Sequence, residues 1–142
     1  MTIGRILEGR DINVVSCTAD IRVRDAVAIL SERRIGALPV LAEDGVAGIF
    51  SERDVIYNLA ADGPDMLDKR VAEVMTAPAV TVERETSALA ALSLMTKRRI
   101  RHLPVVENGR MVGFISIGDI VKYRIDRIES EAEAMRNYIQ MA

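Results

Sequence analysis

The feature that most limits what this chain can fold into is a duplication. Arg33-Arg34-Ile35-Gly36-Ala37-Leu38-Pro39-Val40 returns 65 positions later as Arg98-Arg99-Ile100-Arg101-His102-Leu103-Pro104-Val105, and the register holds without a gap from Val15 opposite Val80 to Asp54 opposite Asp119. A repeated supersecondary unit buries its apolar face against its twin, so the pattern predicts one pseudo-symmetric domain with a cleft between two halves. The length of 142 residues suits a single domain, and an apolar content of 49% is enough to fill its core.

Each copy reads as a β-α-β-β-α unit. Val23, Ala26, Val27 and Leu30 in the first copy, and Ala88, Ala91, Leu92 and Met95 in the second, share one helix face. A hairpin follows in both: Leu38 to Leu41, Asp44-Gly45 and Val46 to Phe50, then Leu103 to Val106, Asn108-Gly109 and Met111 to Ile115. Asp-Gly and Asn-Gly tolerate the positive φ of tight turns. Gly48-Ile49-Phe50-Ser51-Glu52-Arg53-Asp54 and Gly113-Phe114-Ile115-Ser116-Ile117-Gly118-Asp119 then open a second helix at the serine. Short strands at Val14 to Cys17 and Ala79 to Val82 are expected to precede each unit.

A lead-in also comes twice, Ile3 to Leu7 and Val71 to Met75, but offset by 68 positions, which puts about three extra residues near Gly9-Arg10-Asp11. Ala61-Asp62-Gly63-Pro64-Asp65 reads as a turn-rich linker between the repeats.

Composition excludes several classes. A net charge of −2 with one histidine and two phenylalanines lacks the basic and aromatic signature of nucleic-acid binding. No apolar run is long enough to cross a bilayer, and no basic-then-apolar leader opens the chain. The single Cys17, in an apolar run, reads as a buried thiol in a reducing compartment, so a cytoplasmic location is expected. No nucleophile–histidine spacing, metal-ligand cluster or Walker loop supports catalysis, and the expected protein is a binder, not an enzyme. Arg33, Arg34, Arg98 and Arg99 end their helices, where solvated cations also suit the macrodipole.

The duplicated Val-x-x-Val-Met-type lead-in, the Leu-Pro-Val strand and the Gly-h-h-Ser-x-x-Asp motif together closely resemble the paired cystathionine-β-synthase (CBS) domain, or Bateman module, over residues 3 to 125. The resemblance implies an α+β fold of two CBS repeats packed through their sheets, with clefts that bind adenosine-containing ligands. It divides the chain into residues 1–63, residues 64–125 and a C-terminal helical extension, 126–142. By this resemblance Asp54 and Asp119 are ribose ligands, and Ser51 and Ser116 are phosphate neighbours, with Arg53 reaching a phosphate from the opposite half. The chemistry is apt: a carboxylate accepts vicinal hydroxyls, and a helix start with its serine suits a phosphate. The same spacing also serves as a helix capping box.

The family lines its cleft with the two residues before the leucine: Gly36 and Ala37 in one half, which admit adenine closely, and Arg101 and His102 in the other, which suit phosphate. A surface arginine and a hydrogen-bonded histidine are the alternative for the latter pair. Val15, Ile35, Val80 and Ile100 are adenine-pocket candidates that serve equally as core. AMP is the leading ligand, with ATP, ADP or NAD(H) as alternatives; an NAD(H)-binding or redox-linked sensor and a ligand-free interaction module are the other readings. Most family members regulate an attached enzyme, channel or transporter, for which this chain leaves no room, so a separate regulated partner is expected.

From Asp119 the chain runs to its end without glycine or proline. Val121, Ile125, Ile128, Ala132, Met135 and Ile139 recur at alternating spacings of four and three. This is the seam of a helix that packs along another, and it predicts a homodimer; folding back on its own chain is the alternative.

Overall fold

The computed structural model describes residues 1–10 and 13–141; of the expected insertion around Gly9, Asp11 lies outside these. Helix α1 (Ile3–Leu7) leads in. Strand β1 (Cys17–Thr18), helix α2 (Val23–Arg33), strands β2 (Ala37–Ala42) and β3 (Gly45–Ser51) and helix α3 (Glu52–Asp62) form the first repeat. A 3-10 turn (Gly63–Asp68) and helix α4 (Val71–Val74) follow. Helix α5 (Ala88–Arg98), strands β4 (His102–Glu107) and β5 (Arg110–Ser116) and helix α6 (Ile117–Met141) complete the second.

The helices lie where the apolar stripes predict. Val23, Ala26 and Leu30 of α2, and Ala88, Ala91 and Met95 of α5, are buried. Both helices close on a left-handed arginine, Arg34 (φ 53°) and Arg99 (φ 54°), whose N–H returns to the last turn. That conformation, usually given to glycine, costs a residue with a Cβ about 1 kcal/mol and turns the next residues sharply into the cleft. The second hairpin turn has positive φ at both Asn108 and Gly109, as a two-residue turn of matching twist requires.

The opening strands are shorter than expected. Only Cys17 and Thr18 pair with β2, and in the second repeat Val82 alone pairs with Val105. Val82 donates to the Pro104 carbonyl at 3.0 Å and accepts from Val106 N at 2.8 Å. One step earlier in that parallel register, the carbonyl of Val80 would need an N–H from Pro104, and that of Val15 one from Pro39; proline has none, and the ladders stop. The expected linker is ordered too. Residues 61–62 belong to α3, and the 3-10 turn after it sinks Met66 fully into the core.

The two halves clasp each other through their lead-ins. Ile3 and Ile6 of α1 belong to the core of the second repeat, with Met95, Leu103, Ile115 and Ile120. Met66, Val71 and Val74 belong to the core of the first, with Val23, Leu38, Val40 and Phe50. The backbone bonds are matched: Ile3 N donates to Thr86 O and Val71 N to Ile21 O, each at 2.9 Å. Burying one such aliphatic side chain is worth about 1.5–3 kcal/mol, and two from each lead-in bind it to the half that the other lead-in precedes.

The glycine of each Gly-h-h-Ser motif lies under the crossing lead-in. A Cβ on Gly48 would stand 2.7 Å from the Thr76 carbonyl oxygen, and one on Gly113 2.7 Å from Leu7. We expect Gly48→Ala to cost about 1–3 kcal/mol in urea unfolding, because backbone must yield. Gly118→Ala, whose Cβ meets only Ser116 Oγ at 3.5 Å, should be neutral or slightly stabilising; equal losses in the two variants would contradict the crossing.

Candidate functional site

Two cavities open between the halves, and each draws on both repeats. The larger, about 500 Å³, sets Val15, Ile35, Gly36 and Ala37 of the first repeat against Ser116 and Asp119 of the second. The smaller, about 230 Å³, sets Val80, Ile100, Arg101 and His102 against Ser51 and Arg53. Each thus pairs the apolar candidates of one copy with the serine motif of the other. Gly36, Ala37 and His102 line both cavities and form their shared wall. Organic ligands commonly occupy about 300–1,000 Å³, a range that contains only the larger space.

The motif carboxylates are held differently. Asp119 makes the reciprocal bonds of a capping box: its Oδ2 accepts from Ser116 N at 2.8 Å, and its own N–H donates to Ser116 Oγ at 3.1 Å. Its other oxygen pairs with Arg10 at 3.0 Å, on the cavity wall. Burial alone would push this carboxyl up, but the bonds from Arg10 and the Ser116 N–H prevail and hold it below its ordinary range. Asp54 is only 9% exposed and does not line the smaller cavity. Its Oδ2 accepts from Ser51 N and Oγ at 2.9 and 3.2 Å, and its Oδ1 accepts from Thr76 Oγ1 at 2.9 Å.

The two sites therefore differ at one oxygen. Thr76 follows the second lead-in and closes over Asp54; after the first lead-in, where the extra residues fall, Arg10 takes that place on Asp119. Threonine covers its carboxylate with a short neutral side chain, whereas the Arg10–Asp119 pair remains about one-third exposed at both partners. An ion pair this open to solvent contributes little to stability, so breaking it costs little.

Cations and rings missed in the sequence complete the larger site. Arg34, from the left-handed turn, and Arg84 join Arg10 on its wall. Arg84 also pairs with Glu107 at 2.8 Å. Phe114 stacks on His102 with ring centres 5.5 Å apart and planes at 15°. Phe114 is the first hydrophobic residue after Gly113, whose counterpart beside Gly48 is Ile49, so its ring was legible as a break in the repeat. Nothing local in the sequence marks Arg84. At the smaller site the Arg53 guanidinium crosses to the opposite half, where it donates to the Arg99 carbonyl at 2.6 Å. Arg101 lies 3.4 Å from Glu52, an exposed pair that contributes little to stability.

Cys17 is buried, and burial pushes its thiol up to about 11, so it stays a thiol. His102 is half-buried; desolvation first, then the neighbouring Arg101, push it below its ordinary value of 6.5, while Asp119 and Glu52 oppose the shift. Between its lowered folded value and 6.5 the unfolded chain binds more protons, so stability should fall as pH drops below about 6.5. His102→Phe should flatten that part of the urea-midpoint profile; an unchanged slope would show that His102 does not titrate this way.

The profile of the CBS domain matches residues 10–61 and 71–126. The chain is 36% identical over 129 residues to the CBS domain-containing protein CBSX3, mitochondrial, of Arabidopsis thaliana, covering 87% of this chain and 63% of that protein. It thus spans less than two thirds of this curated relative, and 20% of the length of the mycobacterial inosine-5′-monophosphate dehydrogenases it also matches. Among solved structures, the CBS-domain containing protein ATU1752 from Agrobacterium tumefaciens superposes with a TM-score of 0.81 at 37% identity, over 87% of this chain and 92% of that one. The CBS domain pair of MJ0100, in complex with 5′-methylthioadenosine and S-adenosyl-L-methionine, gives 0.74 at 25% identity, over 87% and 98%. With both repeats matched in order across the clasped halves, the chain belongs to the CBS-domain family, as a tandem pair.

Proposed function

We propose that this chain is a non-catalytic sensor that binds an adenosine phosphate in its larger cavity and passes the change to a separate protein. The observation that carries this reading is the Asp119 carboxylate at a helix start, paired with Arg10 in a cavity that Arg34 and Arg84 also line. In the bound state the ribose hydroxyls donate to Asp119, which releases Arg10 to a phosphate; Ser116 and the first turn of α6 face the same anion. Adenine lies against Val15, Ile35, Gly36 and Ala37. The Val15 carbonyl, which receives no ladder bond from Pro39, is an acceptor for the purine amino group. The ligands of the MJ0100 pair support an adenosine-containing ligand; the phosphate rests on the arginines of this cavity.

AMP is our first choice, since three arginines around one cavity suit one phosphorylated group, with ADP, ATP and NAD(H) as larger alternatives. In the smaller cavity Ser51, Arg53, Arg101 and His102, beside Val80 and Ile100, form a weaker second site, with Asp54 acting through its cap unless Thr76 yields. A homodimer formed along α6 would transmit the change, and the buried thiol of Cys17 fits a reducing compartment such as the cytoplasm. A ligand shifts the equilibrium between poses only by its difference in affinity for them.

In a thermal-shift panel of AMP, ADP, ATP, S-adenosylmethionine, NAD and NADH, the ligand sensed should raise the midpoint by several degrees at 100 times its dissociation constant, roughly 2.7 kcal/mol. Asp119→Ala should abolish the shift, and Arg84→Ala should weaken phosphorylated ligands more than adenosine. No shift with any of them would favour the ligand-free interaction module. Ending the chain after Arg127 should convert a dimer to monomers in light scattering; an unchanged dimer would remove α6 from the interface.

A further inference from the structure

Helix α6 is 25 residues long, yet only Ile120 is fully buried, with Ile117 and Tyr123 packed on the core of the second repeat. Its seam faces elsewhere. Val121, Ile125, Ile128, Met135 and Ile139 are 46%, 49%, 52%, 61% and 65% exposed, rising along the helix. Such an apolar stripe needs a cover. We propose that a second copy of this chain covers it, in a parallel two-stranded coil that places the two α6 starts, and so the two Asp119 cavities, at the same end. The inference rests on the homodimer reading and adds its direction and register.

The spacing assigns Ile125, Ala132 and Ile139 to the a positions and Val121, Ile128 and Met135 to d. Lys122, Glu129 and Arg136 then fall at e, and Arg124, Glu131 and Tyr138 at g. In a parallel pair each g position faces the e position five residues on in the other helix. Arg124 meets Glu129 of the second copy, and Glu131 meets Arg136 of the second copy; twofold symmetry repeats both, and no like charges meet.

An antiparallel pair with the same overlap, Val121 opposite Ile139, places Glu129 near Glu129 of the other copy, Glu131 near Glu131, and Lys122 near Arg136. Those like-charge contacts oppose it. A partner of different sequence would have to reproduce the matched charges. A second copy supplies them by symmetry. The β-branched pair Ile125 and Ile128 tends to open a two-stranded coil toward more strands, but it is followed by Ala132 and unbranched Met135, which let two backbones approach.

The test uses the full chain with Cys17→Ala, carrying Met135→Cys or Ile125→Cys, under mild oxidation with light scattering on the reduced samples. The parallel coil predicts that Met135→Cys alone gives a disulfide-linked dimer. Cross-linking only when the two variants are mixed, or none while light scattering shows a dimer, would overturn the parallel arrangement and leave the homodimer standing. Monomers in the reduced samples would remove the homodimer reading itself, and three or more copies would overturn the two-stranded coil. Arg124→Glu should raise the dimer dissociation constant roughly three- to thirtyfold, with Glu129→Arg in the same chain restoring it. That pair is the cleaner probe, because Glu131 is already engaged by Arg127 on its own helix at 3.5 Å.

Discussion

Everything in this structure depends on the exchange of lead-ins across the pseudo-twofold axis. A helix of five residues and one of four would be marginal on their own. Each is fixed because its apolar side chains complete a core that the other half of the sequence builds, and because its backbone donates to the loop before the other half's first helix. The clasp makes the two repeats one cooperative unit. It also sets their separation, and with it the cavities. Glycine at 48 and 113 is the mark this crossing leaves in the sequence, since any side chain there would meet the lead-in passing overhead.

The symmetry that builds the cavities is broken by few residues. After one lead-in a threonine seals the motif carboxylate; after the other, the insertion brings in an arginine that pairs with it at the cavity wall. Arginines from the left-handed turn and from the loop before α5 add to that side, and Phe114 with His102 gives it a flat apolar wall. The result is one roomy cavity beside one small space, each lined by three arginines, with Gly36, Ala37 and His102 between them. A ligand in the larger cavity would therefore press on the wall of the smaller, and by linkage any coupling of the two would be reciprocal.

Much of the fold was legible because duplication and periodicity are properties of sequence alone: the helices, both hairpins and the helix start at each serine lie where the pattern places them. The opening strands were not, because their length is set by a proline on the neighbouring strand. The lead-in exchange was hidden for the same kind of reason, since sequence adjacency says nothing about which core a short apolar helix joins. In the site, Val15, Ile35, Gly36, Ala37, Ser116 and Asp119 come together as a group. Asp54 stands apart from its cavity because Thr76, 22 positions later, folds over it. Arg10 and Arg84 were illegible as cavity residues because only the crossing brings loops from opposite ends of the repeats to one wall.

The long α6 helix joins these themes, since its first turn is cavity wall and its later turns are exposed seam, with no break between. A ligand that displaced the Asp119 turn would therefore displace the seam with it. In the proposed reading the larger cavity, at Asp119, and not the smaller one beside Ser51, is the principal ligand site. Equilibrium dialysis with radiolabelled AMP tests it most directly: the account predicts one tight site per chain, lost in Asp119→Ala and kept in Asp54→Asn. Two equal sites per chain, or one lost in Asp54→Asn and kept in Asp119→Ala, would contradict it.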